Sequence, residues 1–202
     1  MMNKLLLSSG NKDKFAELRA KLSVLGNVEL LSPSLFGITM EVDENGTTLE
    51  ENASLKAEAF YKLFRIPTLA DDTGLFVNSL NGQPGVMSAR YSGENATYES
   101  NRVKLLKELS ATSDRSAEFK TVICLVVSED EKYFFEGICR GSITESERGA
   151  GGFGYDSIFI PEGFDSTFAE MPFDVKNKIS HRALALDKLI SYLEEKKLLS
   201  TP

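Results

Sequence analysis

The chain has 202 residues, 23 of them basic and 30 acidic, with a formal charge of −7. Hydrophobic residues at 42% and charged residues at 26% exclude disordered and fibrous classes, and a chain of this length can bury a core without disulfide staples. The acidic balance argues against broad nucleic-acid binding, and no apolar run approaches the ~20 residues of a membrane span.

The opening stretch from Met1 to Ser8 is too short an apolar run for a signal peptide, and no cleavage site follows it. Leu5 to Ser8 predicts a short buried strand, Ser9-Gly10-Asn11 a turn, and Phe15, Leu18, Leu22 and Leu25 a helix that Gly26 closes. Val28 to Leu31 predicts a second strand ended by Pro33, and Glu41 to Gly46 an acidic loop. Thr48-Leu49-Glu50-Glu51 is a capping box, opening a helix with Leu55, Ala59 and Leu63 on its inward face. Thr68 to Ala70 predicts a strand that delivers Asp71-Asp72-Thr73-Gly74 at its end, with Leu75 to Val77 continuing after the glycine.

Asn81 to Gly85 is punctuation, and Tyr98 to Leu109 an amphipathic helix with Val103, Leu106 and Leu109 inward. Phe119 to Val127 and Tyr133 to Ile143 predict a hairpin, linked by Ser128-Glu129-Asp130-Glu131. A glycine-rich loop from Gly149 to Tyr155 leads into a strand from Ser157 to Ile160. Ser180 would cap a last helix with Leu186, Leu189, Ile190 and Leu193 inward. The order β-α-β-α-β, helix, hairpin, β-α predicts one α/β domain over residues 1–202 with a mixed sheet.

Cys124 and Cys139 sit in apolar runs and read as buried free thiols of a reducing, cytoplasmic compartment. His181 is the only histidine, too few for a zinc site, so a working metal would take oxygen ligands and be Mg²⁺ or Mn²⁺.

Five segments carry possible chemistry. Ser9-Gly10-Asn11-Lys12-Asp13-Lys14 spans a strand-to-helix junction, where free N–H groups and the helix dipole favour an anion; it reads equally as an ordinary capped helix start. Asp71-Asp72 is a repelling pair whose cost a divalent cation or a shared proton removes; the plain alternative is one turn-capping Asp and one solvated Asp. Glu41-Val42-Asp43-Glu44 could add oxygen ligands or be a solvated loop, and Lys56 alone reads as a surface lysine. Gly149 to Asp156, with Phe153 and Tyr155, permits close approach to a planar ligand, against the alternative of a flexible hairpin tip. Lys176 to Arg182 places directed donors before a helix, although His181 alone reads as a capping or surface histidine.

Together these segments resemble the inosine triphosphatase family, the non-canonical purine NTP pyrophosphatases. The matching stretches are Ser9 to Lys14, Glu51-Asn52-Ala53 with Lys56, Ala70 to Leu75, Pro84 to Gly93, Gly151 to Asp156 and Ser180-His181-Arg182, in the family's order. Ser9, Thr73, Met87 and Ser157 depart from the family's commoner Thr, Ser, aromatic and Pro, and none of these is a charged position.

The resemblance implies hydrolysis of ITP, dITP and XTP to the monophosphate and pyrophosphate, cleansing the nucleotide pool. It implies Mg²⁺, a homodimer, and an elongated α/β domain of two lobes, with the active-site cleft between them. By the same resemblance, Ser9, Gly10, Asn11, Lys12, Asp13, Lys14 and Lys56 would cradle the triphosphate, and Glu44 and Asp72 would hold the metal. Asp72, helped by Asp71, would orient and deprotonate the attacking water, with Thr73 touching substrate beside them. Phe153, Gly154, Tyr155 and Asp156 would pack on the base, and Lys176, His181 and Arg182 would recognise the purine. The competing readings are a non-catalytic nucleotide binder and a pyrophosphatase of modified pyrimidine triphosphates.

Overall fold

The structure is a computed structural model describing residues 4–9, 11–23, 28–38, 40 and 42–196, except for the side chains of Lys12 and Asp13. Leu25, Gly26, Glu41 and Gly10, the last of these expected to cradle the triphosphate, lie outside the described residues.

In chain order the elements are β1 (Lys4–Leu7), α1 (Lys12–Leu22), β2 (Glu29–Leu31), α2 (Leu49–Phe64), β3 (Thr68–Val77), β4 (Pro84–Gly85), α3 (Tyr98–Glu108), β5 (Ser116–Val126), β6 (Lys132–Ile143), β7 (Phe159–Pro161), α4 (Phe173–Ile179) and α5 (His181–Glu195). The strands order as β2-β1-β3-β5-β6-β7, with β4 on β3. β1 is parallel to β2 and β3, whereas β3–β4 and β6–β7 are antiparallel, so the sheet is mixed as expected.

The chain divides into two compact units, Met1–Asp72 with Thr121–Gly137 and Arg182–Pro202, and Thr73–Lys120 with Ile138–His181. In the first, successive leucines of β1 alternate between faces. Leu5 and Leu7 join a core with Leu18 and Leu22 of α1 and Leu186, Leu189 and Leu193 of α5, while Leu6 packs with Leu31 and Phe60 of α2. Burial on both faces is what an apolar parallel strand requires. In the second unit, Leu75 and Val77 of β3, Leu105 of α3, Phe119 of β5 and Phe159 of β7 share a core with Phe168.

Several expectations are corrected. α2 starts at its capping box, with Thr48 Oγ1 accepting from the Glu51 N–H at 3.1 Å, but its buried face is Leu49, Ala53, Ala57 and Phe60. Leu55 and Leu63 stay 39% and 50% exposed, because the small alanines let the other face approach the sheet. On α3, Val103 is 56% exposed while Asn101 and Leu105 point inward.

β3 runs unbroken through Asp71 and Asp72, so the pair sits inside a strand rather than at its end. Its last partners on β1 are Leu6 and Leu7, opposite Thr68 and Leu69. The carboxylates therefore lie just beyond the end of β1, where α1 begins. Pro33 opens a 3₁₀ turn rather than simply ending β2. Asp156–Ile158 is also 3₁₀, so the following strand starts at Phe159. α4, unread in the sequence, precedes Ser180. Both cysteines are free and buried, and among the described residues no helix is long and apolar enough to cross a membrane.

Candidate active site

The chemistry-bearing side chains form two groups, one in each unit. In the first, Ser9 Oγ accepts the Asn11 N–H at 3.2 Å, and Asn11 Oδ1 accepts the Lys14 N–H at 3.2 Å. Asn11 thereby caps α1, as its position suggests, and fixes Lys14 in the first turn. Lys14 Nζ lies 3.0 Å from Asp71 Oδ2. The same oxygen accepts from Arg182 Nε at 3.3 Å and Nη2 at 3.2 Å, and Arg182 Nη1 donates to Glu17 Oε2 at 2.7 Å. Asp71, Glu17 and Arg182 are all buried. Burial alone would push the Asp71 carboxyl up, but Lys14, Arg182 and Lys56 outweigh it and hold it well below the usual carboxylate range.

Asp72 has different company. Lys56 Nζ donates to its Oδ1 at 3.1 Å and also lies 3.3 Å from Glu44 Oε1. Asn52 Nδ2 donates to Asp72 Oδ2 at 3.2 Å, and Asn52 Oδ1 accepts the Gly46 N–H at 2.8 Å. Burial raises the Asp72 carboxyl above its ordinary value, and the nearby Glu44 charge adds to the rise while Lys56 opposes it. Lys56 stays protonated because Asp72, Asp71 and Glu44 together overcome its burial. It is thus a half-buried bridge between two carboxylates rather than the surface lysine its sequence position suggests.

The second group surrounds the glycine-rich loop. Asp156 Oδ2 accepts the Phe153 N–H at 2.8 Å and Lys176 Nζ at 2.8 Å. Lys176 Nζ stands 5.0 Å from the Phe153 ring centroid, a cation–π distance. Gly152 has φ +69°, and a Cβ there would come within 2.2 Å of Asp156 Oδ2, so only glycine lets the loop fold over this carboxylate. Tyr155 Oη donates to the Ser88 carbonyl at 2.8 Å. The His181 ring is buried and stacks on Phe119 at 4.4 Å. Thr73 is half-buried on β3, directly after Asp72.

The structure thus gathers Asn11, Lys14, Glu44, Lys56, Asp71, Asp72 and Arg182 in one unit, and Phe153, Gly154, Tyr155, Asp156 and Lys176 in the other. Arg182, grouped with the purine donors in the sequence, spends its guanidinium on Asp71 and Glu17. Glu17 and Asn52 carry structure here that sequence reasoning did not assign. A charged residue next to Leu18 on the apolar face of α1 was the available signal for Glu17.

Residues 5–192 match the profile of the Ham1 family. The chain is 46% identical over 190 residues to a protein of Flavobacterium johnsoniae named dITP/XTP pyrophosphatase, covering 94% of this chain and 97% of that one. Among solved structures, the HAM1 protein of Coxiella burnetii superposes with a TM-score of 0.88 at 39% identity, covering 96% of this chain and 100% of that one. The Ham1 protein of Staphylococcus aureus gives 0.86 at 38% identity, with 96% and 99% covered.

Proposed function

The chain belongs to the Ham1 family, and from that premise we propose that it is a nucleoside triphosphate pyrophosphatase acting on deaminated purine nucleotides: dITP, XTP and ITP. The observation that carries this reading is the unequal carboxylate pair at the start of α1, with Asp71 neutralised by two cations and Asp72 pushed upward beside Glu44.

In the reaction a water oxygen attacks the α-phosphorus, the bond from that phosphorus to the α–β bridging oxygen breaks, and pyrophosphate leaves. Asp71 is held by two cations, whereas Asp72 meets one and is raised above its ordinary value by burial, which favours Asp72 as the group that orients and deprotonates the water. Asp71 stays anionic and holds Lys14 in place. The Ser9–Lys14 loop and Lys56 supply the donors that receive the triphosphate.

The donor set fits a hard divalent cation. Glu44 and Asp72 already converge on one cationic nitrogen, that of Lys56. Among the described residues no cluster of three or more ligating side chains exists. Mg²⁺ takes one or two protein carboxylates plus substrate phosphates and water, a set that two carboxylates can begin. Glu44 and Asp72 would hold Mg²⁺ or Mn²⁺, which when bound supplies positive charge against the phosphate oxygens.

Phe153 offers the purine a stacking face, and Lys176 and His181 lie in the same unit as candidate donors to a 6-oxo group. Facing such donors, the 6-amino group of adenine would cost roughly 1–3 kcal/mol per unsatisfied buried group. For Arg182 to reach a base it must exchange its bonds to Asp71 and Glu17. A homodimer is expected in solution, and the free buried thiols support a cytoplasmic location.

The test is turnover of dITP, XTP, ITP, dATP, dUTP and methylated pyrimidine triphosphates, with and without magnesium. The expected result is pyrophosphate plus monophosphate from the first three, abolished by chelation. Preference for the pyrimidines, or release of inorganic phosphate and a diphosphate, would overturn the proposal.

A further inference from the structure

We infer that Arg102, on α3, is a positioning residue for the base-binding loop, an inference that rests on the proposed function for its substrate but not for its geometry. Arg102 Nη1 donates to the Gly154 carbonyl at 2.9 Å, and its Nε lies 2.9 Å from Glu147 Oε2. The same Glu147 oxygen accepts the Ser157 hydroxyl at 3.0 Å. One side chain thus ties together Glu147 ahead of the loop, a carbonyl within it, and, through Glu147, Ser157 beyond it. Its root is firm, since Thr97 and Ser100 form a reciprocal cap at the start of α3, with bonds of 3.0 and 2.8 Å.

The segment it ties needs tying. Gly149, Gly151, Gly152 and Gly154 make it conformationally free, and Gly154 itself has φ +62°. Asp156 anchors the loop from within, through the Phe153 N–H and Lys176. Arg102 anchors the outer side through the carbonyl that follows Phe153. Phe153 is held between these two anchors, 6.2 Å from the Tyr98 ring, which also belongs to α3. Without the outer anchor, ordering the glycines is charged to nucleotide binding instead of to folding. The consequence is weaker binding of the base with unchanged chemistry at Asp72.

The experiment compares wild type with Arg102→Leu, Arg102→Lys and Glu147→Gln in three readouts. Arg102→Leu is expected to raise the KM for dITP roughly tenfold with kcat held within about twofold, the pattern of lost uniform binding. Arg102→Lys, which keeps one of the two contacts, should recover part of that loss. Inhibition by tripolyphosphate, which has no base, should be unchanged. Amide exchange over residues 149–157 should quicken in Arg102→Leu, and this readout needs no substrate.

An unchanged KM with unchanged exchange overturns the inference. So does a parallel weakening of dITP and tripolyphosphate, which would mean general damage. If wild type fails to cleave dITP, the functional proposal falls, and the exchange comparison still decides whether Arg102 orders the loop.

Discussion

Adjacent side chains on an extended strand point to opposite faces, and β3 uses that alternation to give Asp71 and Asp72 different partners. Asp71 meets Lys14 and Arg182, whereas Asp72 meets Lys56 and Asn52. The motif is visible in the sequence, and so is the repulsion it implies. The solution is not visible, because the cations come from positions 16 residues away for Lys56 and 111 for Arg182. No spacing rule joins such positions; only the fold does. Asp71 is thus matched by two cations and Asp72 by one. Asp72→Asn removes the proposed proton acceptor while keeping the shape and the Asn52 neighbour. Its kcat for dITP should fall by roughly 10²–10⁴-fold with the thermal midpoint little changed, as measured by steady-state kinetics and a melting curve.

At the scale of elements, legibility follows locality. The capping box of α2, the cap on α1, the hairpin residues and the inward leucines of α5 were all readable, because each depends on neighbours a few positions away. The buried face of α2 was not. Leu55, Ala59 and Leu63 make as good a helical stripe as Leu49, Ala53, Ala57 and Phe60, and only the sheet beneath decides between them. Gly74 shows the same dependence. A Cβ there would sit 2.6 Å from the Gly85 carbonyl oxygen of β4 and 2.8 Å from the Phe76 ring, so its role is to let β4 approach β3. Gly74→Ala should cost about 1–3 kcal/mol in urea unfolding, the usual range for overpacking, because the nearest atom is backbone and cannot swing aside.

At the scale of the molecule, the two thiols are the clearest link between burial and solution behaviour. Burial pushes Cys124 up to about 12 and Cys139 up to about 11, from an ordinary value of 9.0. An unfolded chain would release these protons near pH 9 while the folded chain keeps them. Their stabilising effect is therefore complete below about pH 9 and is lost as pH rises towards the folded values. Urea midpoints should fall between pH 9 and 10, and Cys124→Ala, compared with its own midpoint at pH 8, should show a shallower decline. An equal decline would refute the assignment.

Those shielded sulfurs also leave the exterior chemically blank towards maleimides and iodoacetamides. A single cysteine engineered at an exposed position of each compact unit would be the sole handle for a dye or spin label, with nothing native to remove first. The spacing between the carboxylate group and the aromatic loop can then be followed as nucleotide is added, in a protein whose own thiols stay out of the measurement.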